Sequence, residues 1–267
     1  MKNNEKFKGI FQNPARLVRY SLLPVILIIL WYYSTGIKEF FPPALLPDPV
    51  KVLMSMGNMI FTGELFRHIY ASMLRIFYAI LVACFFGIPL GLFMGIYHKF
   101  EELIDGVLTI IRPIPPLAWI PLAILWFGIG NMSVVFITCL SAFFAVLLNT
   151  IGGVRAVDRV LVRAAESLGA DQKILIWRVI LPASLPSIFT GFRIAIGVSW
   201  MSIVAAELVA ASSGLGYMIS FYREFMRTDL IIVGMITIGI IGLIMDWITR
   251  RLEDWLLPWR VGITVRK

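Results

Sequence analysis

Six apolar runs dominate this sequence and constrain its fold more than any other feature. Each is close to the length, about 20 residues, at which a helix crosses roughly 30 Å of hydrocarbon. A chain in lipid must satisfy its backbone polar groups internally, so runs of this length fold as helices. Only 15% of the residues are charged, against about 25% in soluble domains. The sequence therefore predicts an all-α integral membrane protein with about six transmembrane helices, at residues 20–35, 72–96, 107–128, 132–153, 187–211 and 230–248.

The basic residues predict how these helices are oriented. Most lysines and arginines fall in segments that are cytoplasmic if both termini are cytoplasmic, which is the positive-inside bias of membrane proteins. The net charge of +8 does not indicate nucleic acid, because the basic residues are dispersed and form no single patch. On this prediction the outer connections hold only Lys38, Lys51, Arg67, Arg223 and Arg227.

The same pattern divides the chain into a cytoplasmic N-terminal segment at 1–19, a transmembrane domain at 20–249 and a cytoplasmic tail at 250–267. The first apolar run follows basic residues, as in a signal peptide, but no small-residue cleavage site follows "IILWYYSTG". We interpret that run as a retained anchor. Cys84 and Cys139 lie in different spans without metal-ligand spacing, so we assign them to packing.

The sequence of the second span indicates close helix packing, and that of the third span indicates a break in the helix. Gly87, Gly91 and Gly95 recur every four residues, so one face of the second span lacks side chains and favours close approach by another helix. The third span contains "RPIPPLAWIP", whose prolines remove amide donors and disfavour helix in the residues before them. This predicts a broken helix of the kind that lines substrate routes in transporters. A proline-rich start to an ordinary short helix is the alternative.

Ionisable residues in the fifth span are the first candidate site. Arg193, Trp200 and Glu207 recur every seven residues and share one helical stripe. Charged groups at membrane depth are costly and face the bundle interior or a wet cavity. For both Arg193 and Glu207, a role in transport and a structural ion pair remain alternatives. Glu207 and Asp246 lie on separate spans, isolated from other intramembrane carboxylates.

The connection between the fourth and fifth spans, about residues 154–186, is long and rich in helix formers. An amphipathic helix is predicted to stop at Gly169, and a second one to run to Pro182. Two short helices joined at a glycine form a protruding knob on the predicted cytoplasmic side. It could be a membrane-surface helix, a plain connection, or a docking element whose small residues let a partner close around it.

This loop resembles the coupling loop of the membrane subunits of binding-protein-dependent ATP-binding cassette importers. The family pattern is Glu-Ala-Ala, three residues, Gly, nine residues, Ile, one residue, Leu-Pro, and this sequence keeps the spacing with Val179 at the Ile position. Arg163 replaces the family's Glu, and Glu166 stands three residues later, so the charges are exchanged. The resemblance assigns ATPase coupling to Arg163, Ala164, Ala165, Glu166, Ser167, Leu168, Gly169, Leu181 and Pro182.

Residues 112–130 and 191–219 are similar to the nitrate/sulfonate/taurine/bicarbonate group of these permeases. The resemblance implies a type I importer permease in the inner (plasma) membrane of a prokaryote. Such a chain is a transport subunit rather than an enzyme. The resemblance also implies cytoplasmic ATPase subunits that bind ATP and Mg²⁺, an extracytoplasmic binding protein, and a second permease chain, in a homodimer first and a heterodimer as the alternative. The sequence itself contains no G-x-x-x-x-G-K-[ST] loop, so no nucleotide cofactor is expected in this chain.

The expected substrate is a small anion such as a sulfonate, nitrate, taurine or bicarbonate. A vitamin precursor or an aromatic acid is the alternative within the family, and an ion-coupled secondary transporter is the alternative outside it. The latter would need paired intramembrane carboxylates or inverted repeats, which the sequence does not show. Hydroxyls and indoles could donate hydrogen bonds to an anion, or could simply pack helices. The predicted translocation path comprises Trp119, Arg193, Ser199, Trp200, Ser202 and Glu207.

Overall fold

A computed structural model describes residues 14–37, 40, 42 and 44–256, and this part of the chain is helical without any strand. Apolar runs give the long helices, and prolines and glycines lie at or near several of their ends. The helices are α1 Pro14–Tyr32, α2 Pro49–Phe61, α3 Glu64–Ile96, α4 His98–Ile111, α5 Pro116–Phe127, α6 Asn131–Arg155, α7 Arg159–Ser167, α8 Gln172–Ala210, α9 Leu215–Glu224 and α10 Thr228–Leu256.

Four of these helices, α3, α6, α8 and α10, are long and apolar enough to cross a membrane. The α4–α5 pair gives a fifth crossing if it counts as one bent span. The first predicted span overlaps a shorter apolar helix, Leu22–Gly36. The multi-pass, all-helical prediction is therefore confirmed. Most of the predicted N-terminal segment (1–13) and of the predicted tail (257–267) lies outside the described residues, and the three domain boundaries stay predictions.

The chain forms two compact units. The smaller unit contains residues 1–64 and 221–233. Within it, Ser55 Oγ donates to Asp229 Oδ2 at 2.7 Å, and Arg227 pairs with the same carboxylate at 2.8 Å. Tyr222 donates to Glu64 Oε1 at 2.7 Å. Burial, and then this hydrogen bond, raises the pKa of Tyr222 to about 12, so the phenol stays a donor.

The larger unit contains residues 65–220 and 234–267, and its centre is the packing of α6 against α8. The predicted glycine face of α3 is confirmed as a close approach to α6. A Cβ added to Gly91 would lie 2.7 Å from Thr150 Cβ, and one added to Gly95 would lie 2.6 Å from Val154 Cβ. The absence of side chains on this face therefore lets the two backbones meet.

The predicted break in the third span is also confirmed. Helices α4 and α5 meet at an angle of 83°, across the residues 112–115. Pro115 adopts an extended conformation, with φ −57° and ψ 137°, and Pro116 begins the 3₁₀ turn that opens α5. Proline cannot donate an amide hydrogen and disfavours helix before it, so the sequence of the break explains its position.

One expectation about the loop is wrong. The second helix of the knob does not end at Pro182 but continues without interruption from Gln172 to Ala210. A π-helical segment, Leu175–Ile180, lies immediately before the proline. Proline in a helix meets the carbonyl four residues earlier, here that of Arg178, which lies in the widened segment. The wider turn accommodates the proline ring, so the helix continues.

Candidate functional site

The knob is a rigid helix–turn–helix whose ends are capped by its own residues. Asp158 Oδ1 accepts from Val160 N–H at 2.8 Å and begins α7. At the other end, Gly169 has φ +84°, and Ala170 N–H donates to Ala165 O at 3.0 Å. This is the glycine stop with a left-handed residue that the sequence predicts. Asp171 then caps the start of α8 by accepting from Ile174 N–H at 2.7 Å.

The apolar stripe of the knob, which includes Val160, Leu161 and Leu168, is exposed. No residue of α7 is buried. Val160 is 69% exposed and Leu168 is 89% exposed. The exchanged charges are free as well, because neither the Arg163 nor the Glu166 side chain has a hydrogen bond or an ion pair among the residues that the structure describes. A capped, rigid element with an exposed apolar stripe is suited to docking, although its role and its individual residues stay predictions.

A second polar site, which we call the buried ion pair, joins α3 and α8. Arg75 Nη1 lies 2.6 Å from Glu207 Oε1, and the two side chains are 3% and 0% exposed. Ser72 Oγ lies 2.9 Å from each oxygen of the same carboxylate, and Gly216 N–H donates to it at 3.0 Å. Glu207 therefore has a charged partner, in agreement with the structural ion pair that was one of its two predicted roles.

Arg75 also holds the turn between α8 and α9. Its guanidinium donates to Ser213 O and Ser213 Oγ, both at 2.7 Å, and to Asn131 Oδ1 at 2.9 and 2.6 Å. Nearby, Gly214 N–H donates to His68 Nδ1 at 3.1 Å. The result is a network in which one guanidinium connects α3, α6 and the turn.

Sequence reasoning selected Glu207 but missed Arg75, Ser72, Asn131 and Ser213. Arg75 is separated from Glu207 by 132 positions, so no local spacing relates the two residues. A signal was present nonetheless. Arg75 is a charged residue in the apolar helix α3, and an intramembrane charge requires a partner elsewhere in the bundle.

The structure does not bring the six predicted path residues together at one site. Arg193 lies 3.3 Å from Glu253 and 4.0 Å from Asp246, and with Trp200 it lines a small cleft of about 70 Å³. Ser202 Oγ bonds to Ser141 Oγ at 2.6 Å and so joins α8 to α6. These contacts agree with structural roles, and the transport roles of the residues stay predictions.

Trp119 and Ser199 differ from the other path residues in their hydrogen bonding. Trp119 Nε1 and Ser199 Oγ are buried and have no hydrogen-bond partner within the described part of the chain. A buried donor without an acceptor is costly, by about 1–3 kcal/mol. Their hydrogen-bonding capacity is therefore left for water or another partner, and their place in a translocation path stays a prediction.

A metal centre is not among the candidate sites. Across residues 14–37, 40, 42 and 44–256, no group of three or more His, Cys, Asp or Glu side chains is arranged to hold a metal ion. Cys84 and Cys139 are free thiols on α3 and α6.

Comparison with known proteins gives the family. The family model described as "Binding-protein-dependent transport system inner membrane component" matches residues 87–258. The taurine transport system permease protein TauC of Escherichia coli is 39% identical over 242 residues, which cover 89% of this chain and 87% of that protein. The putative aliphatic sulfonates transport permease protein SsuC of Bacillus subtilis is 37% identical over 239 residues, covering 90% and 86%.

Among solved structures, an inward-facing form of the MetNI methionine ABC transporter shares the fold. The TM-score is 0.65 at 18% sequence identity, and the match covers 74% of this chain and 97% of that one. At this identity the likeness concerns the fold alone. It agrees with the type I importer fold that the sequence predicts.

Proposed function

Because the chain belongs to the family of binding-protein-dependent transport system inner membrane components, we propose that it imports a small sulfonate or a related oxyanion. It is the permease subunit of an ATP-binding cassette importer, a multi-pass membrane protein that works with ATPase subunits and a substrate-binding protein. The similarity to taurine and aliphatic sulfonate permeases supports the choice of substrate.

The finer features of the importer are part of the proposal. The chain lies in the inner membrane of a prokaryote with both termini in the cytoplasm, and it pairs with a second copy of itself. ATP and Mg²⁺ bind to the partner ATPase subunits, and this chain binds no cofactor of its own. The positive-inside distribution of lysine and arginine supports the orientation.

The capped and exposed geometry of the knob is the observation that supports the proposed coupling between the ATPase and this chain. Its caps fix α7 relative to the start of α8, and its exposed apolar stripe has no cover within the described chain. We propose that one ATPase subunit closes around α7, with Gly169 at the turn, and that its movement passes directly into α8. Flexible sequence at this position would absorb the motion. The exchanged charges of Arg163 and Glu166 require compensating charges in the ATPase cleft.

Replacing Gly169 tests this docking. A Cβ at Gly169 meets no atom of its own chain within 4 Å, so a substitution there does not clash at Cβ, and its intrachain cost is the strain of φ +84°. We expect Gly169→Trp to abolish ATP-dependent sulfonate uptake and co-purification of the ATPase from membranes, while the permease still inserts. Uptake is measured in proteoliposomes that hold the ATPase and are supplied with the binding protein.

Gly169→Asn is the matched control, because asparagine tolerates the left-handed conformation, with φ +84° at this residue, better than other residues do. It should keep most of the uptake. Normal uptake by Gly169→Trp would contradict the docking role. Loss of activity in both variants would instead assign the defect to the backbone turn.

A further inference from the structure

A cavity of about 310 Å³ lies beside α4, next to the break in the third span. Its volume reaches the range of small-molecule sites, which begins at roughly 300 Å³. One wall is apolar and comes from α3 and α6, including Met94, Phe144 and Leu147. The other wall is α4 and the residues after it, where polar side chains stand beside Leu108 and Pro113. Asp105, Thr109 and Arg112 all line this side.

The three polar residues share one face of α4. They stand at positions i, i+4 and i+7, which follow one another along a helical stripe. No hydrogen bond or ion pair engages any of the three side chains in the part of the chain that the structure describes. By contrast, Glu101 on the same helix contacts both Arg155 and His98. The polar atoms of the three cavity side chains are therefore available to a bound solute.

The polar side chains of this stripe are open to a solute. Asp105, Thr109 and Arg112 are all exposed, so a molecule that enters the cavity can reach their polar atoms. Arg112 is a hydrogen-bond donor that needs an acceptor, and its planar guanidinium matches the oxygen atoms of an oxyanion. The Asp105 carboxylate accepts hydrogen bonds, and an ammonium group can donate them. Thr109 lies between them and offers a hydroxyl.

We propose that this cavity binds a small zwitterion, with its oxyanion at Arg112 and Thr109 and its ammonium group at Asp105. Seven residues of helix separate the two charges by about 10 Å along the axis, which leaves space for a ligand with a short carbon spacer. An amino-sulfonate has this form, and so does the head group of a zwitterionic phospholipid. The assignment to a transported amino-sulfonate rests on the proposed function.

Thiol modification at Thr109→Cys tests the site. The variant is made with Cys84→Ala and Cys139→Ala, assembled with the ATPase, and placed in nanodiscs of phosphatidylglycerol alone. The probes are an anionic sulfonatoethyl methanethiosulfonate and its trimethylammonium counterpart. We expect the anionic reagent to react with the thiol, and Arg112→Gln to slow this reaction about tenfold, since the guanidinium three residues from the thiol attracts anions. The rate at which the cationic reagent modifies the thiol should not fall in the Arg112→Gln variant.

Protection by ligands then identifies the occupant. Taurine should slow the modification of Thr109→Cys more than ethanesulfonate does, because only taurine carries the ammonium group. Asp105→Asn should remove the difference between the two. Protection that appears only after phosphatidylethanolamine is added would assign the same zwitterion site to a lipid head group.

The control and the contradictory results are equally specific. Val107 is 57% exposed and does not line the cavity, so Val107→Cys should show no protection. A Thr109→Cys that does not react, or that reacts equally with and without every ligand, would overturn the inference. If the assembled importer takes up sulfonates while the thiol stays unprotected, the proposed function stands and this site does not.

Discussion

At the scale of single residues, Arg75 shows how a charge is held inside an apolar bundle. Its guanidinium makes five hydrogen bonds, to Glu207, Asn131 and Ser213, one for each N–H that it carries. Taking the two charges out of water costs several kcal/mol per ion, and only such complete pairing offsets that cost. The pair therefore stabilises the fold only as long as both partners are present.

Breaking the pair from one side should be more harmful than removing it entirely. Glu207→Gln leaves Arg75 buried without a counter-charge, and Arg75→Met leaves the carboxylate alone, at a cost of about 3–5 kcal/mol for either change. The double variant Arg75→Met, Glu207→Met leaves no unpaired charge and should recover part of that loss. The measurement is the midpoint of thermal unfolding of each purified variant in detergent.

The exposed Glu166, without a partner among the described side chains, provides the control for these substitutions. Glu166→Gln should leave the unfolding midpoint unchanged. If the effects of the two single variants simply add in the double variant, the residues are not coupled and the ion pair does not have this role.

At the scale of elements, the contact between α3 and α6 depends on the absence of side chains. The backbone of α6 approaches so closely that a Cβ on Gly91 would lie 3.0 Å from Leu147 O. Neighbouring Gly87 and Gly95 meet Val146 and Val154 in the same way. Because interhelical packing in lipid relies on such close van der Waals contact, separating the helices removes much of the stabilisation.

Gly91→Leu should therefore lower the unfolding midpoint and the yield of folded protein. Gly152→Leu, on the partner helix α6, is the matched control, because a Cβ at Gly152 meets nothing within 4 Å. The comparison uses the same detergent and the same expression host. Equal losses in both variants would show that leucine is harmful by itself, and not through the α3–α6 contact.

The elements also show what the sequence can and cannot predict. The glycine face of α3, the break after α4 and the Gly169 stop all follow from short-range rules, and each has a local cause. The continuation of α8 through Pro182 does not, because it depends on a π-helical segment that no residue type encodes. Short-range rules could not predict the partner of Glu207 either, since that partner, Arg75, lies on a different helix.

At the scale of the whole molecule, α8 connects the two polar sites of the larger unit. It begins at the knob, where Asp171 caps it, and it carries Glu207 of the buried ion pair near its other end. Its 39 residues extend about 58 Å, more than the roughly 30 Å of hydrocarbon in a bilayer. From this length we expect the knob and the turn at residues 211–214 to lie on opposite sides of the membrane.

The orientation can be tested by labelling the two ends of α8 in intact cells. Ser167 on the knob and Ser212 in the turn are both exposed, and each is replaced by cysteine in the Cys84→Ala, Cys139→Ala background. With cytoplasmic termini, a membrane-impermeant maleimide should label Ser212→Cys in intact cells but label Ser167→Cys only after lysis. The reverse pattern would place the knob outside the cell. No cytoplasmic ATPase could then reach α7, and the coupling proposal would fail together with the orientation.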